Sequence, residues 1–246
     1  MVKGKEETSY QKGGKKGGGV AKGTFVPRGY SSQPAEGGPS PAKSWAANSP
    51  AKDYEAPETG APEEGLKFYV DLDGVLADFN KACQDLFPEG GPIADKIPNH
   101  TVDKLTQEEE AEMWKRVGQK VDFFETLDWT VDGEELWRWI DWHVVAPPSI
   151  LTGLPYGKVG QMASKQKETW CRKRLGEHIA VFCCGTRNKQ KFSGKNCVLV
   201  DDRGELREAW EARGGIFVHH TSAKDSIRQL HEILEAHSGQ ELQEFG

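Results

Sequence analysis

Five short apolar runs recur along the chain after residue 65: LKFYVDLDG (66–74), PPSILTG (147–153), HIAVFCCG (178–185), NCVLVDD (196–202) and GGIFVHH (214–220). Each is rich in β-branched and aromatic residues, too short for a stable helix, and bounded by Gly, Pro or polar residues, so each is expected to be a strand ending in a loop. Between them the apolar spacing changes to the helical period over Met162–Leu175 and Glu205–Trp210, and again at Ile227, Leu230, Ile233 and Leu234, which fall on one face. Nearly all-apolar strands alternating with helices predict an α/β fold, a parallel sheet with helices on both faces.

The interval 79–147 interrupts that alternation. EEEAEMWKRVGQ and DGEELWRWIDWHV both carry helical spacing, Trp137, Ile140 and Val144 fall on one face, and no strand is expected. This predicts a small helical cap inserted after the first strand, above the strand ends where open α/β sheets bind ligands. Trp114, Trp137 and Trp142 are expected to be core residues.

Residues 1–64 have no such pattern. Gly, Lys, Ser, Ala and Pro dominate, with GGKKGGG at 13–19. A segment of that composition cannot bury enough apolar area to offset its ordering entropy and is expected to be disordered. Its first half is basic (Lys3, Lys5, Lys12, Lys15, Lys16, Lys22, Arg28), which suits either a solvated tail or a tether to nucleic acid or another anionic partner. The expected organisation is a tail (1–64), a folded α/β domain (65–238) and a flexible C-terminus (239–246).

Composition narrows the setting. A net charge of −6 argues against a uniform polyanion-binding surface. Five cysteines (Cys83, Cys171, Cys183, Cys184, Cys197) lack metal-ligand spacing and read as reduced, buried small hydrophobes. No signal-peptide run or membrane-length apolar stretch is present, so a soluble, cytoplasmic protein is expected, with an organellar address and a homodimer left open.

The chemistry is concentrated where strands end. Asp71 and Asp73, in Asp71-Leu72-Asp73-Gly74, leave a strand two residues apart and can address one pocket. Two anions about 4 Å apart repel by about 4 kcal/mol at an effective dielectric near 20, so a compensating charge is required. A divalent metal with oxygen ligands supplies it, and Mg²⁺ characteristically pairs carboxylates with phosphate oxygens. In a parallel sheet Thr152 and the Asp201-Asp202 pair end on the same edge. Thr152 and Gly153 offer a hydroxyl and an approachable backbone N–H to a phosphoryl oxygen, and at least one of the two acids can complete a metal site. Such coincidence is hard to attribute to turn chemistry.

FYVDLDGVLADF, ILTGLP, the Lys in RNKQKFSG and VLVDDR together resemble, in order, the four motifs of the haloacid dehalogenase superfamily. VDFFETL, KETWCRKRLG and WEARGGIFVHH further resemble its 5′(3′)-deoxyribonucleotidase-like branch, over roughly residues 67 to 235. The resemblance implies a Rossmann-like fold with a helical cap and a Mg²⁺-dependent phosphomonoesterase acting on nucleoside monophosphates. It assigns Asp71 as nucleophile and Asp73 as general acid and base, with Mg²⁺ held by Asp71, the Asp73 carbonyl and an acid of the 201–202 pair. It also implies a phosphate-stabilising lysine, for which Lys189 fits the motif best with Lys191 close by. Phe79, Phe123 and Phe124 match base-pocket positions, where aromatic stacking contributes about 1–3 kcal/mol per base, but an aromatic in a helical insertion is more often core packing, and both readings stand.

Arg203 has two readings, substrate contact or a carboxylate partner. His143, His219 and His220 lack zinc spacing and read as structural. KQKETWCRKR reads as a solvated basic helix face. Two alternatives remain: a phosphatase acting on polynucleotide ends, fed by the basic tail, and a non-catalytic binding module in a larger assembly. The intact acids argue against the latter, because buried carboxylates without a metal role only cost stability.

Overall fold

The structure, a computed structural model, describes residues 65–89, 91, 93–97 and 105–244, with side chains through 238. These residues belong to one contact unit, Asn48–Gly246. The tail 1–64, with its basic stretch, lies outside the described residues.

All five apolar runs contain strands: β1 (Lys67–Val70), β2 (Ser149–Gly153), β3 (Val181–Cys184), β4 (Cys197–Asp201) and β5 (Ile216–His219). They form one parallel sheet in the order β3-β2-β1-β4-β5. The chain winds outward from β1 through β2 to β3, then crosses back to β4 and β5. The reversal beside β1 opens a crevice at the carboxyl ends of the strands, the usual ligand position in such sheets. The helices are α1 (Phe79–Gln84), α2 (Gln107–Gln119), α3 (Gly133–His143), α4 (Gly157–Arg174), α5 (Arg207–Glu211) and α6 (Ala223–Glu244). Among the described residues no helix is long and apolar enough to cross a membrane.

Strand alternation sorts side chains onto two faces. Phe68, Val70, Ile150, Val198, Val200 and Val218 join one buried cluster, against Ala163, Trp170 and Cys171 of α4 and Leu230 of α6. Tyr69, Leu151, Leu199 and Phe217 join the other, against Phe192 and Trp210 of α5. Tyr69 meets both of those rings edge-on, with centroids 5.9 Å away. Helical elements therefore cover both faces, as the all-apolar strands predicted.

The cap shares the larger cluster. Met113 and Val117 of α2, Leu136, Trp137 and Ile140 of α3, and Phe123, Phe124 and Leu127 between them pack into the same core as β1. Helix α2 starts sharply because Thr106 and Glu109 form a reciprocal capping box. The linking segment 121–127 is fastened to α4 by residues on one stripe of that helix. Gln166 accepts from the Phe124 N–H (2.8 Å) and donates to the Val121 carbonyl. One turn on, Trp170 donates to the Leu127 carbonyl (2.8 Å), and Arg174 donates to the same oxygen (3.1 Å).

Several expectations shift in detail. Helix α4 begins at Gly157 rather than Met162, because its first turn, GKVGQ, is too polar to register as periodic. The expected helix at Glu205 resolves into a 3-10 turn (Gly204–Leu206) followed by α5. The backbone of α6 stays helical to Glu244. Trp137 is buried and Trp114 packs against the core, but Trp142 is 61% exposed. Two residues beyond Ile140, it falls on the far side of α3 from the Leu136–Trp137–Ile140 stripe. All five cysteines are free, with Cys183 and Cys197 only partly buried.

Trp170 joins sheet, helix and cap. Trp170→Ala is expected to cost about 3–5 kcal/mol. Trp170→Phe, which keeps a ring and leaves Arg174 donating to Leu127, should cost about 1–2 kcal/mol. Urea unfolding followed by far-UV circular dichroism measures both.

Candidate active site

Strand β1 gives way at Asp71, whose N–H still pairs with the Val200 carbonyl (2.9 Å). The loop then closes tightly: Leu76 and Ala77 donate to the Leu72 carbonyl, and Gly74 donates to Ala77. Gly74 has φ +81°, and a Cβ there would lie 2.4 Å from Asp202 Oδ2. Glycine is therefore required twice, by its left-handed backbone and by the close approach of the Asp202 carboxylate.

Three other strand ends converge on this loop. Lys189 lies in the 3-10 turn Thr186–Phe192 that follows β3, and its Nζ sits 2.9 Å from Asp71 Oδ1 and 2.7 Å from Asp201 Oδ2. Lys189 is buried and Lys191 exposed, so geometry separates the two candidates: a 3-10 turn places residues two apart on different sides. Thr152 is fully buried at the end of β2. Gly153 beside it has Thr186 Oγ1 where a Cβ would stand, 2.6 Å away. Asp201 ends β4, with Oδ1 accepting from the Arg203 N–H (2.9 Å) and Oδ2 from Lys189.

Lys167 is the residue that sequence reasoning missed. It is fully buried, not on a solvated face, and donates to Asp73 Oδ2 (2.6 Å), Thr152 Oγ1 (2.9 Å) and the Gly153 carbonyl (2.7 Å). Helical spacing puts it on the inward stripe with Ala163 and Cys171, all three buried. That stripe was the available signal: the other cations of KQKETWCRKR gave the segment its solvated look.

The aromatic expectations change character. Phe79, Phe123 and Phe124 are all buried, with Phe79 stacked on Phe124 (centroids 6.1 Å, 13°) and Phe123 edge-on to Phe124 (5.1 Å). Their faces are occupied by one another, leaving none open for a base, and Lys167 Nζ lies 5.3 Å from the Phe124 centroid. They are packing beneath Lys167. The Arg203 guanidinium lies 3.4 Å from Glu205. His143 stacks on Trp139, His220 bonds Ser226 Oγ (2.9 Å), and His219 Nε2 bonds the Asp202 carbonyl (3.0 Å).

Electrostatics distinguishes the acids. Burial raises the Asp73 pKa, Lys167 pulls it down, Asp71 pushes it up, and the net shift is upward. Asp73 Oδ1 is buried with no hydrogen-bond partner. Burial and repulsion from Asp71 and Asp201 push Asp202 up to about 8. Asp201 is also raised, by burial first, against the pull of Lys189. Burial opposes the Lys189 ammonium, but Asp201 and Asp71 outweigh it and hold its pKa above the usual lysine value.

Asp71, Asp201 and Asp202 each bring an oxygen within 4.8 Å of the others. Three carboxylates facing one ammonium leave two negative charges uncompensated, and the donors are all oxygen, a set that fits a hard divalent cation such as Mg²⁺. Both Asp201 oxygens are engaged, whereas the Asp202 carboxylate has no hydrogen bond among the described residues. Asp71 and Asp202 are thus the better placed direct ligands. The Asp73 carboxylate turns to Lys167 instead.

No family model matches the chain, and no curated protein matches it significantly. Matching solved structures include a hydrolase from Streptococcus pneumoniae TIGR4, at 12% identity over 70% of this chain and 99% of that one, TM-score 0.42. A haloacid dehalogenase-like family hydrolase from Streptococcus pneumoniae matches at 11% over 68% and 90%, TM-score 0.40. A HAD-superfamily hydrolase of subfamily IA from Geobacter sulfurreducens matches at 11% over 65% and 88%, TM-score 0.42. At these values the likeness carries neither activity nor substrate to this chain.

The Asp202 shift makes metal-free stability pH-dependent. A carboxyl whose folded pKa exceeds its unfolded value stabilises the protein at low pH and loses that contribution as pH rises through the folded value. Without metal, the melting temperature is expected to fall between pH 5 and pH 8, through the window that ends near the raised Asp202 pKa of about 8. Mg²⁺ competes with protons for the same oxygens, so its stabilising effect should be larger at pH 8 than at pH 5. Asp202→Asn should flatten both trends in thermal-shift measurements made with Mg²⁺ and with EDTA.

Proposed function

We propose that this protein is a Mg²⁺-dependent phosphomonoesterase that works through an aspartyl-phosphate on Asp71. One observation carries the reading: two acids two residues apart are held by different buried lysines. Asp71 faces Lys189 and the acidic cluster, while Asp73 is turned to Lys167 and its pKa is raised, so it can hold a proton. A carboxyl with a raised pKa beside a second carboxylate is the pattern of an acid and a nucleophile sharing one site.

The residues divide the work accordingly. Asp71 attacks phosphorus as the bond to the leaving oxygen breaks, and Asp73 gives its proton to that oxygen. A water then attacks the aspartyl-phosphate, Asp73 takes the water's proton, and the departing phosphate restores the Asp71 carboxylate. Lys167 and Lys189 place two ammonium groups where phosphoryl charge develops, and the Thr152 hydroxyl adds a donor. Lys167 donating to Thr152 Oγ1 leaves that hydroxyl's own proton free to point at substrate. Asp71, Asp202 and the Asp73 carbonyl would hold Mg²⁺, which would supply Lewis-acid polarisation of the phosphoryl group.

The substrate we propose is a nucleoside monophosphate, on the motif resemblance. The fastened cap supports a small phosphoester over a polymer end, because segment 121–127 is held to α4 by four hydrogen bonds rather than left to swing aside. The closed aromatic cluster gives no support to base stacking on Phe79, Phe123 or Phe124, so base recognition falls to other residues.

Phosphate release from a panel of nucleoside monophosphates and 3′-phosphorylated oligonucleotides, with Mg²⁺ or EDTA, tests the reading. Wild type should act with Mg²⁺ and stop in EDTA, and Asp71→Asn should lose activity by at least ~10⁴-fold. Release by Asp71→Asn at near wild-type rate would rule out the covalent mechanism, and preference for oligonucleotides would shift the substrate to polynucleotide ends. Lys167→Met should lower kcat by about 10²–10³-fold, on the scale of removing one donor aimed at transition-state charge.

A further inference from the structure

We infer that His219 is a positioning residue for the metal site, acting through the Asp202–Arg203 peptide, whose carbonyl it holds while Asp201 holds the N–H of the same peptide. The inference rests on the metal-dependent reading above and concerns a residue that touches neither substrate nor reacting atoms.

The geometry begins with sheet register. Strand β5 pairs with β4 so that His219 stands opposite Asp201, at the last rung before both strands end. From there the imidazole reaches forward to the following loop: Nε2 lies 3.0 Å from the Asp202 carbonyl oxygen. A carbonyl oxygen can only accept, so Nε2 carries the proton and the tautomer is fixed by its partner. The ring also packs against Gly204, where a Cβ would stand 3.3 Å from both Cε1 and Nε2. Any side chain at 204 would push the ring away from the carbonyl it holds.

The consequence lies in the peptide between Asp202 and Arg203. Its oxygen takes the His219 proton, and its N–H donates to Asp201 Oδ1 at 2.9 Å. A peptide unit is planar, so fixing both of its polar ends fixes its rotation and therefore ψ of Asp202. With the Asp202 carboxylate pressed against Gly74 on its other side, the residue is held at its carboxylate and at its carbonyl. Its side chain makes no hydrogen bond of its own among the described residues, so these backbone restraints direct it toward Asp71 and Asp201. Outer-shell partners of this kind typically tune metal affinity by 10–100-fold.

The His219 backbone is itself anchored, its carbonyl accepting from Gln229 of α6 (3.4 Å), so removing the imidazole leaves the end of β5 tied down. The experiment uses the full-length protein, wild type, His219→Ala and His219→Gln, with Mg²⁺ itself as the probe. Glutamine carries an amide N–H at similar reach and can restore the bond to the Asp202 carbonyl. Mg²⁺ binding is read by isothermal titration and by the Mg²⁺-induced rise in melting temperature, and the Mg²⁺ dependence of phosphate release is read in parallel.

The expected result is a Mg²⁺ dissociation constant raised about tenfold or more in His219→Ala. His219→Gln should recover most of that loss, and melting temperatures in EDTA should stay close to wild type. Wild-type Mg²⁺ affinity in His219→Ala overturns the inference, as does a His219→Gln protein no better than His219→Ala. A lower melting temperature in EDTA with unchanged Mg²⁺ affinity assigns His219 a purely structural role and also overturns it. If wild type itself shows no Mg²⁺ binding, the metal reading fails first, and that outcome is distinct from wild-type binding unaffected by His219.

Discussion

Four carboxylates meet at one edge of a buried sheet, and their mutual repulsion is the constraint around which the rest is arranged. Each pair of charges at close range costs several kcal/mol at a protein-like dielectric of about 20, with desolvation added. Lys167 and Lys189 are the two lysines buried among the described residues, and each is ion-paired within this cluster. Lys189 joins Asp71 to Asp201, while Lys167 takes Asp73 aside. The remaining excess falls beside Asp202, whose pKa is raised by burial first and then by Asp71 and Asp201. A divalent cation bound here would complete the balance of charge that the two lysines leave open.

How much of this the sequence discloses depends on whether a residue's neighbours in the chain share its environment. The strands were legible because parallel strands buried on both faces are apolar throughout, and Phe68, Tyr69 and Val70 need no alternation to be recognised. Asp71, Thr152 and Asp201 were legible because each ends such a run, and the parallel topology alone brings them to one edge. Lys167 was not, because it lies among Lys165, Lys173 and Arg174, whose charges imply a solvated face. Only the spacing to Ala163 and Cys171 places it inward. Trp142 failed for the converse reason: its type implies burial, but its phase on α3 turns it outward. His219 gave no signal at all, because its partner is a backbone carbonyl seventeen residues away.

The aromatic cluster shows where resemblance and packing give different answers. A position matching a family's base pocket carries residue type but not exposure. Here Phe79, Phe123 and Phe124 close upon one another, and Phe124 is tied through its N–H to Gln166, the residue before Lys167. The cap segment and the buried lysine are thus neighbours on α4, one turning outward to grip the cap and the other inward to the acids.

That arrangement bears on why the cap shares a core with the sheet instead of forming its own. Gln166, Trp170 and Arg174 spend their polar atoms on the backbone of 121–127, satisfying carbonyls and an N–H that would otherwise need water. Lifting the segment would expose Phe123, Phe124 and Leu127 and strip those bonds at once, two costs of the same sign. It would also uncover the side of Lys167 that Phe124 shields, raising the local dielectric around the Lys167–Asp73 pair. The closed cap thus keeps water from the Lys167–Asp73 pair on which the proposed chemistry depends.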